Sequence, residues 1–145
     1  MNNTQDTSQN TMGEGYLVVR VSTASGAIPL TGAMVTVRGA DEANSSFYRT
    51  VYSGASGLTE KIALAAPQRS LSENPSTTTQ KPYALYSIDV FYDGYYDLLF
   101  ANVPIFDTIT SVQPANMIPK PDNEYTDNFA PYDKVTVEGE STYLL

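Results

Sequence analysis

Neither cysteine nor histidine occurs anywhere in the 145 residues. Without cysteine there is no disulfide, no thiolate nucleophile and no thiolate metal ligand. Without histidine the chain lacks the usual general base near neutral pH and the commonest metal ligand. Positive charge is scarce too: 8 basic residues stand against 16 acidic ones, a net charge of -8. The cations, among them Arg20, Arg38, Arg49 and Lys61, are scattered along the chain. Nucleic-acid binding, which needs clustered Lys and Arg against phosphates, is therefore excluded as a reading. No apolar run approaches the roughly 18 residues of a membrane-spanning helix. The segment 1–15 has neither the basic nor the apolar region of a secretory signal.

What is present favours strands. Eleven Tyr and 5 Phe accompany many Val, Ile and Thr, residues that fit a pleated, half-buried surface. Nine Gly and 9 Pro supply turns at short intervals. Residues 1–14 hold almost nothing apolar and are expected to be a disordered tail. From Tyr16 onward the pattern has period two. Leu17, Val19 and Val21 share one face of a first strand, and Ala33, Val35 and Val37 share one face of a second. In FYRTVY, Phe47, Arg49 and Val51 oppose Tyr48, Thr50 and Tyr52, and either set could face inward. Leu58, Glu60, Ile62 and Leu64 mark another strand, followed by a long polar loop from Ala65 to Lys81.

Tyr86, Ile88, Val90 and Tyr92 then oppose Leu85, Ser87, Asp89 and Phe91, ahead of an Asp93-Gly94 turn. A strand stopped by Pro104 follows, with one or two more around Ile109 and Val112. A final strand-like run spans Lys134 to Val137. About seven short strands punctuated by Gly and Pro, with no amphipathic helix, indicate an all-β sandwich or barrel. The expected organisation is a tail at 1–14, one β domain at 15–121 and an acidic extension at 122–145 that has room for one edge strand.

Three stretches carry a resemblance. GYLVVRVSTASGAIPLTGAMVTVRG is similar to the first hairpin of transthyretin-like domains, the group containing carboxypeptidase regulatory-like and Cna-B-type modules. SGASGLTEKIALAAP resembles their next segment, with Ser53 or Gly54 where Asp is frequent. The third stretch matches at Gly94, Tyr95, Tyr96, Asn102, Val103, Pro104, Phe106, Thr110, Gln113 and Pro119. There the chain resembles a subgroup found with clostridial peptidoglycan-binding and spore-cortex-lytic proteins. The resemblance covers Tyr16 to Pro121 and implies a Greek-key, transthyretin-like β-sandwich. It also implies a bacterial protein of the cytoplasm, spore or envelope.

The chemistry open to such a fold is narrow here. The transthyretin-related hydrolase of purine catabolism uses histidines and a C-terminal Tyr-Arg-Gly-Ser, whereas this chain has no His and ends in Ser-Thr-Tyr-Leu-Leu. An isopeptide bond of the Cna-B type would need a Lys where the first strand offers Arg20, which is no nucleophile at ordinary pH. Lys61 or Lys134 with Asn102 or Asn116, and Glu60 or Asp89 as proton shuttle, are the remaining combinations. Asp89, Asp93 and Asp97 cluster at a hairpin in the manner of paired glycosidase acids, though alternating acids there fit a solvated face better. Asp122, Glu124 and Asp127 form a calcium candidate without the Gly and distal Glu of an EF-hand loop.

The expectation is thus a non-enzymatic interaction or structural module with no cofactor, serving a cell-envelope, spore or phage assembly. Its partner would be a protein or a cell-wall glycan, with no nucleic acid and no membrane insertion. The alternative is a peptidoglycan-binding accessory of a cell-wall hydrolase system. The ligand-binding candidates are Tyr92, Tyr95 and Tyr96, with Tyr48 and Tyr52 a second aromatic pair.

Overall fold

The computed structural model describes residues 12–69, 81–121, 134–138 and 142–144; for the last two stretches only the backbone strands are considered. The chain is all-β. In order the strands are β1 (Met12–Thr23), β2 (Ile28–Pro29), β3 (Met34–Gly39), β4 (Tyr48–Tyr52), β5 (Ile62–Pro67), β6 (Ala84–Phe91), β7 (Asp97–Ile105), β8 (Thr110–Asn116), β9 (Lys134–Glu138) and β10 (Thr142–Leu144). They form two five-stranded sheets. The first runs β10-β8-β1, with β5 and β2 sharing the far side of β1; the second runs β4-β3-β6-β7-β9. Most neighbours are antiparallel, but β1 lies parallel to β8 and β7 parallel to β9.

Period-two alternation decides which face is dry. Leu17, Val19 and Val21 are fully buried on the first sheet, and Ala33, Val35, Val37, Ile88 and Val90 on the second. Together with Ile62, Leu64, Tyr86, Leu98, Phe100, Val103 and Ile105 they make one core between the sheets. In β4 the inward set is the one containing Val51, while Tyr48 and Tyr52 face solvent.

Several expectations need correction. The stretches around Leu17–Val21 and Ala33–Val37 do not form a hairpin, because β1 and β3 belong to different sheets. The chain pairs briefly as β2 and then crosses between the sheets. Ser53 holds that crossing: its buried hydroxyl donates to the Leu30 carbonyl at 2.7 Å and accepts the Ala33 N–H at 2.9 Å. β1 starts at Met12, so residues 12–14 are strand and not tail, and β5 takes in Ala65–Pro67 from the expected loop. The 122–145 extension contributes two strands, one to each sheet.

Pro104 does not stop β7, which continues to Ile105. β9 pairs only with Asp97–Ala101, so among the described residues Pro104 lies past that partner and its missing N–H costs no ladder bond there. Two residues earlier, Asn102 takes φ 58, at a register shift where Tyr86 and Ile88 on β6 face Val103 and Phe100 on β7. This is a bulge with one extra residue. It turns Ile105 inward, leaving Phe106 half-buried with its ring packed at an angle on Tyr83.

Two polar groups in the core generate predictions. On β8 the inward positions beside Leu17 and Val19 are Ser111 and Gln113, both fully buried. Among the described residues the Ser111 hydroxyl has no hydrogen-bond partner. A buried unsatisfied hydroxyl costs about 1–3 kcal/mol. Ser111→Ala is therefore expected to raise stability by about 1 kcal/mol, read as a higher urea midpoint at unchanged slope.

Tyr86, by contrast, is satisfied. Its hydroxyl crosses from β6 to donate to the Ala65 carbonyl of β5 at 2.6 Å, and its ring meets Phe47 edge-on at 5.7 Å. Burial pushes its phenol above the ordinary value of 10.0. The neutral phenol is the folded form, so its contribution is complete below the unfolded value of about 10 and is lost as pH rises through the folded one. Urea midpoints should fall above about pH 10, and Tyr86→Phe should show a shallower alkaline loss. The same variant should lose about 1 kcal/mol at neutral pH, the usual worth of one hydrogen bond.

Candidate binding surface

The register of the second sheet assembles a surface that no single strand carries. Met34 lies opposite Tyr52 on one side and opposite Phe91 on the other. All three point away from the core, so they form an apolar row across β4, β3 and β6. Their exposures are 60% for Tyr52, 37% for Met34 and 38% for Phe91. The next outward row contains Thr50, Thr36 and Asp89, with the two threonine hydroxyls 3.2 Å apart. The third contains Tyr48, 62% exposed, with the Arg38 guanidinium 5.4 Å from its ring centre.

The row runs into a hollow of about 520 Å³ lined by Gly32, Met34, Phe91, Tyr92 and Asp93. A turn shapes its far wall: the Tyr95 N–H donates to the Tyr92 carbonyl at 3.0 Å, and Gly94 takes φ 89. Negative φ at Asp93 followed by positive φ at Gly94 matches a type II turn, which favours glycine at that position. The Asp93 side chain is exposed at the rim.

The free edge of the sheet is less available than its face. β4 is the outermost strand, but the Arg49 side chain on it forms an ion pair with Glu60 from the segment ahead of β5. A charged group on the inward parity of an edge strand discourages another strand from adding there.

The predicted site residues are brought together in part. Tyr92, Tyr95 and Tyr96 occupy one corner, in the connection between β6 and β7. Tyr92 and Tyr95 pack edge-to-face at 5.4 Å and rest half-buried against the core. Tyr96 is held by its N–H to the Ile118 carbonyl at 2.9 Å, and the Lys120 ammonium lies 6.0 Å from its ring. Less ring surface is offered here than by Tyr48 and Tyr52.

Asp122, Glu124 and Asp127 lie outside the described residues. Among the described residues no group of three or more carboxylates is arranged to hold a metal. Asp89 faces outward on β6 and Asp97 opens β7 opposite Lys134 of β9, so these acids lie on a sheet face and do not line a cleft. The isopeptide candidates are dispersed. Lys61 is exposed with its ammonium 5.1 Å from the Tyr16 ring, Glu60 is engaged by Arg49, and Asn102 and Asn116 are exposed on different sheets. The side chain of Lys134 is outside the described set.

A second hollow of about 430 Å³, lined by Met12, Asp41, Asn44, Pro67, Lys81 and Tyr83 among others, lies elsewhere. Its polar groups serve the fold. Asp41 accepts from Lys81 Nζ at 3.1 Å and from the Leu85 N–H at 2.7 Å, while the Asn44 amide donates to the Leu85 carbonyl at 3.1 Å.

No family model matches the chain, and no curated protein matches it. Among solved structures it is similar to 3-chlorocatechol 1,2-dioxygenase from Rhodococcus opacus 1CP, at 10% identity and a TM-score of 0.49. That likeness covers 74% of this chain and 61% of the dioxygenase chain. A similarity of this size establishes neither a shared fold nor a shared chemistry.

Surface and core aromatics should separate under mutation. Tyr52→Ser is expected to change stability by less than about 0.5 kcal/mol, whereas Tyr92→Ala, packed against the core, should cost about 1–3 kcal/mol. Thermal denaturation of the two variants checks the contrast.

Proposed function

We propose that this chain is a non-enzymatic binding module of Greek-key, transthyretin-like build that engages its partner through the outer face of its second sheet. The observation that carries this reading is the Tyr52–Met34–Phe91 row, reinforced by Tyr48. Scattered exposed apolar residues are ordinary on any protein, but a contiguous row with aromatics at its ends is the composition of recognition surfaces. The transthyretin-like reading draws support from the Ser53-Gly54 pair, one of which stands where that family often has Asp, since Ser53 ties the crossing between sheets.

A protein partner within an envelope, spore or phage assembly fits this face better than a glycan. The glycan reading rests on Tyr92, Tyr95 and Tyr96, and two of those rings spend part of their area on the core. Among the described residues no helix is long and apolar enough to cross a membrane.

A photo-crosslinking residue at position 52, with a control at Arg20 on the first sheet, tests the surface in cells that make the protein. Adducts are expected at position 52 and should disappear on Met34→Glu. Adducts only at the control position, or adducts insensitive to Met34→Glu, would overturn the assignment. Purified protein is expected to turn over neither peptidoglycan nor ester substrates, and measurable turnover would remove the non-enzymatic half of the proposal.

A further inference from the structure

Acidic residues gather at the end of the apolar row that holds the hollow, and Asp93 is the exposed one. Asp93 sits at the rim of the hollow, two residues beyond Phe91. Asp89 precedes Phe91 by two residues on the same face of β6. Asp97 directly precedes Leu98, the partner of Val90, and lies opposite Lys134 of β9 in the ladder. Asp89 and Asp97 are half-buried and engage neighbours within the protein, so their part is to set the local potential. Arg38 lies at the opposite end of this face, over Tyr48, and Lys120 lies beside the Gly94 turn with its ammonium over Tyr96. The whole chain carries a net charge of -8.

We infer that the partner is a protein surface presenting lysine or arginine, and that one such side chain seats in the hollow between Phe91 and Asp93. This inference rests on the sheet-face reading above and adds the chemistry of the occupant. An aliphatic stem suits the apolar wall of Met34, Phe91 and Tyr92, while its charged head reaches Asp93 at the open rim. The exposed ring of Phe91 adds attraction for a cation over its face. An acidic partner would meet repulsion from Asp93 at the rim and from the chain's net charge of -8. A metal ion is a poor alternative, since the described carboxylates do not converge on one point.

The test is a titration of isotope-labelled full-length protein, followed by amide chemical shifts. The probes are a short capped peptide alternating lysine and leucine, its counterpart with glutamate for lysine, and a soluble muropeptide. With the lysine peptide, shifts should concentrate at Gly32, Met34, Phe91 and Asp93. Asp93→Asn, a conservative change in an exposed turn, should weaken that binding by about two- to fivefold, in the range of one exposed ion pair. Raising the salt towards 1 M should erase most of the difference between wild type and variant, because exposed charges are then screened.

Three outcomes overturn the inference: no shifts from the lysine peptide at these amides, equal shifts from the glutamate peptide, or unchanged affinity in Asp93→Asn. Muropeptide shifts at these four amides without lysine-peptide shifts would overturn the cationic partner while leaving the sheet face standing. Loss of the position 52 adducts as well would remove the face itself.

Discussion

One extra residue in β7 keeps both halves of that strand on the right side of the second sheet. A strand's side chains alternate, so an unbroken run carrying Leu98 and Phe100 inward would carry Val103 and Ile105 out to solvent. The bulge at Asn102 inserts the missing half-period, and all four end up buried. The residue chosen fits the geometry: asparagine is among the few side chains that tolerate the left-handed region adopted at φ 58. The chain beyond the bulge depends on it. Ile105 enters the core and Phe106 leans on Tyr83. Asp107 then reaches back to accept the Glu14 and Arg69 N–H groups at 3.0 and 2.8 Å. The end of the first sheet is thus fastened by the residues directly beyond an irregularity in the second.

Proline governs the outer strands by a related logic. β9 accompanies β7 over Asp97–Ala101, and Pro104 lies past that pairing. β10 accompanies β8 over Thr110–Val112, and Pro114 lies past that one. Each proline sits where, among the described residues, its strand has one ladder partner instead of two. The sandwich therefore carries prolines inside strands without breaking a ladder, a placement that reading Pro104 as a terminator missed. Polar residues are handled less uniformly. Ser53 and Thr59 are buried with their hydroxyls engaged, Thr59 accepting the Val19 N–H at 3.0 Å, whereas Ser111 is buried without such compensation among the described residues.

The division between the legible and the illegible parts of the sequence comes from the information that period two encodes. Alternation tells which side chains of a strand share a face, and the sets it groups, Leu17–Val19–Val21, Ala33–Val35–Val37 and Ile88–Val90, are each buried together in the core. It is silent on which strand lies alongside. The β1–β3 pair therefore read as a hairpin when the two strands belong to different sheets. Partner strands also decide the candidate surface. Tyr52, Met34 and Phe91 were each readable as outward-facing or ambiguous within their own strands, but only the register of β4, β3 and β6 lines them up. The tyrosine-rich turn drew attention because its residues are adjacent in sequence, although Tyr92 and Tyr95 spend themselves on each other and on the core. The C-terminal strands were half visible: the Lys134–Val137 run has strand character, while Thr142–Leu144 is too short to announce itself.

A sheet face that is apolar in one row and acidic beside it divides recognition into two steps. The carboxylates and the overall negative charge act at a distance and raise the encounter rate with a cationic surface, an effect that weakens as salt screens it. The row and its hollow act only on contact, where burial of Met34, Phe91 and Tyr52 supplies attraction that salt does not remove. Either feature alone would be indiscriminate, since acid attracts any base and an apolar strip attracts any other. On the proposed reading their adjacency, with Phe91 paired to Met34 and sharing the hollow with Asp93, selects for a partner offering an aliphatic stem and a positive charge together. Edge pairing offers no such selectivity, because its bonds are to backbone, and the Arg49–Glu60 ion pair stands against it at β4. On the proposed reading, specificity therefore comes from the side chains of the sheet face.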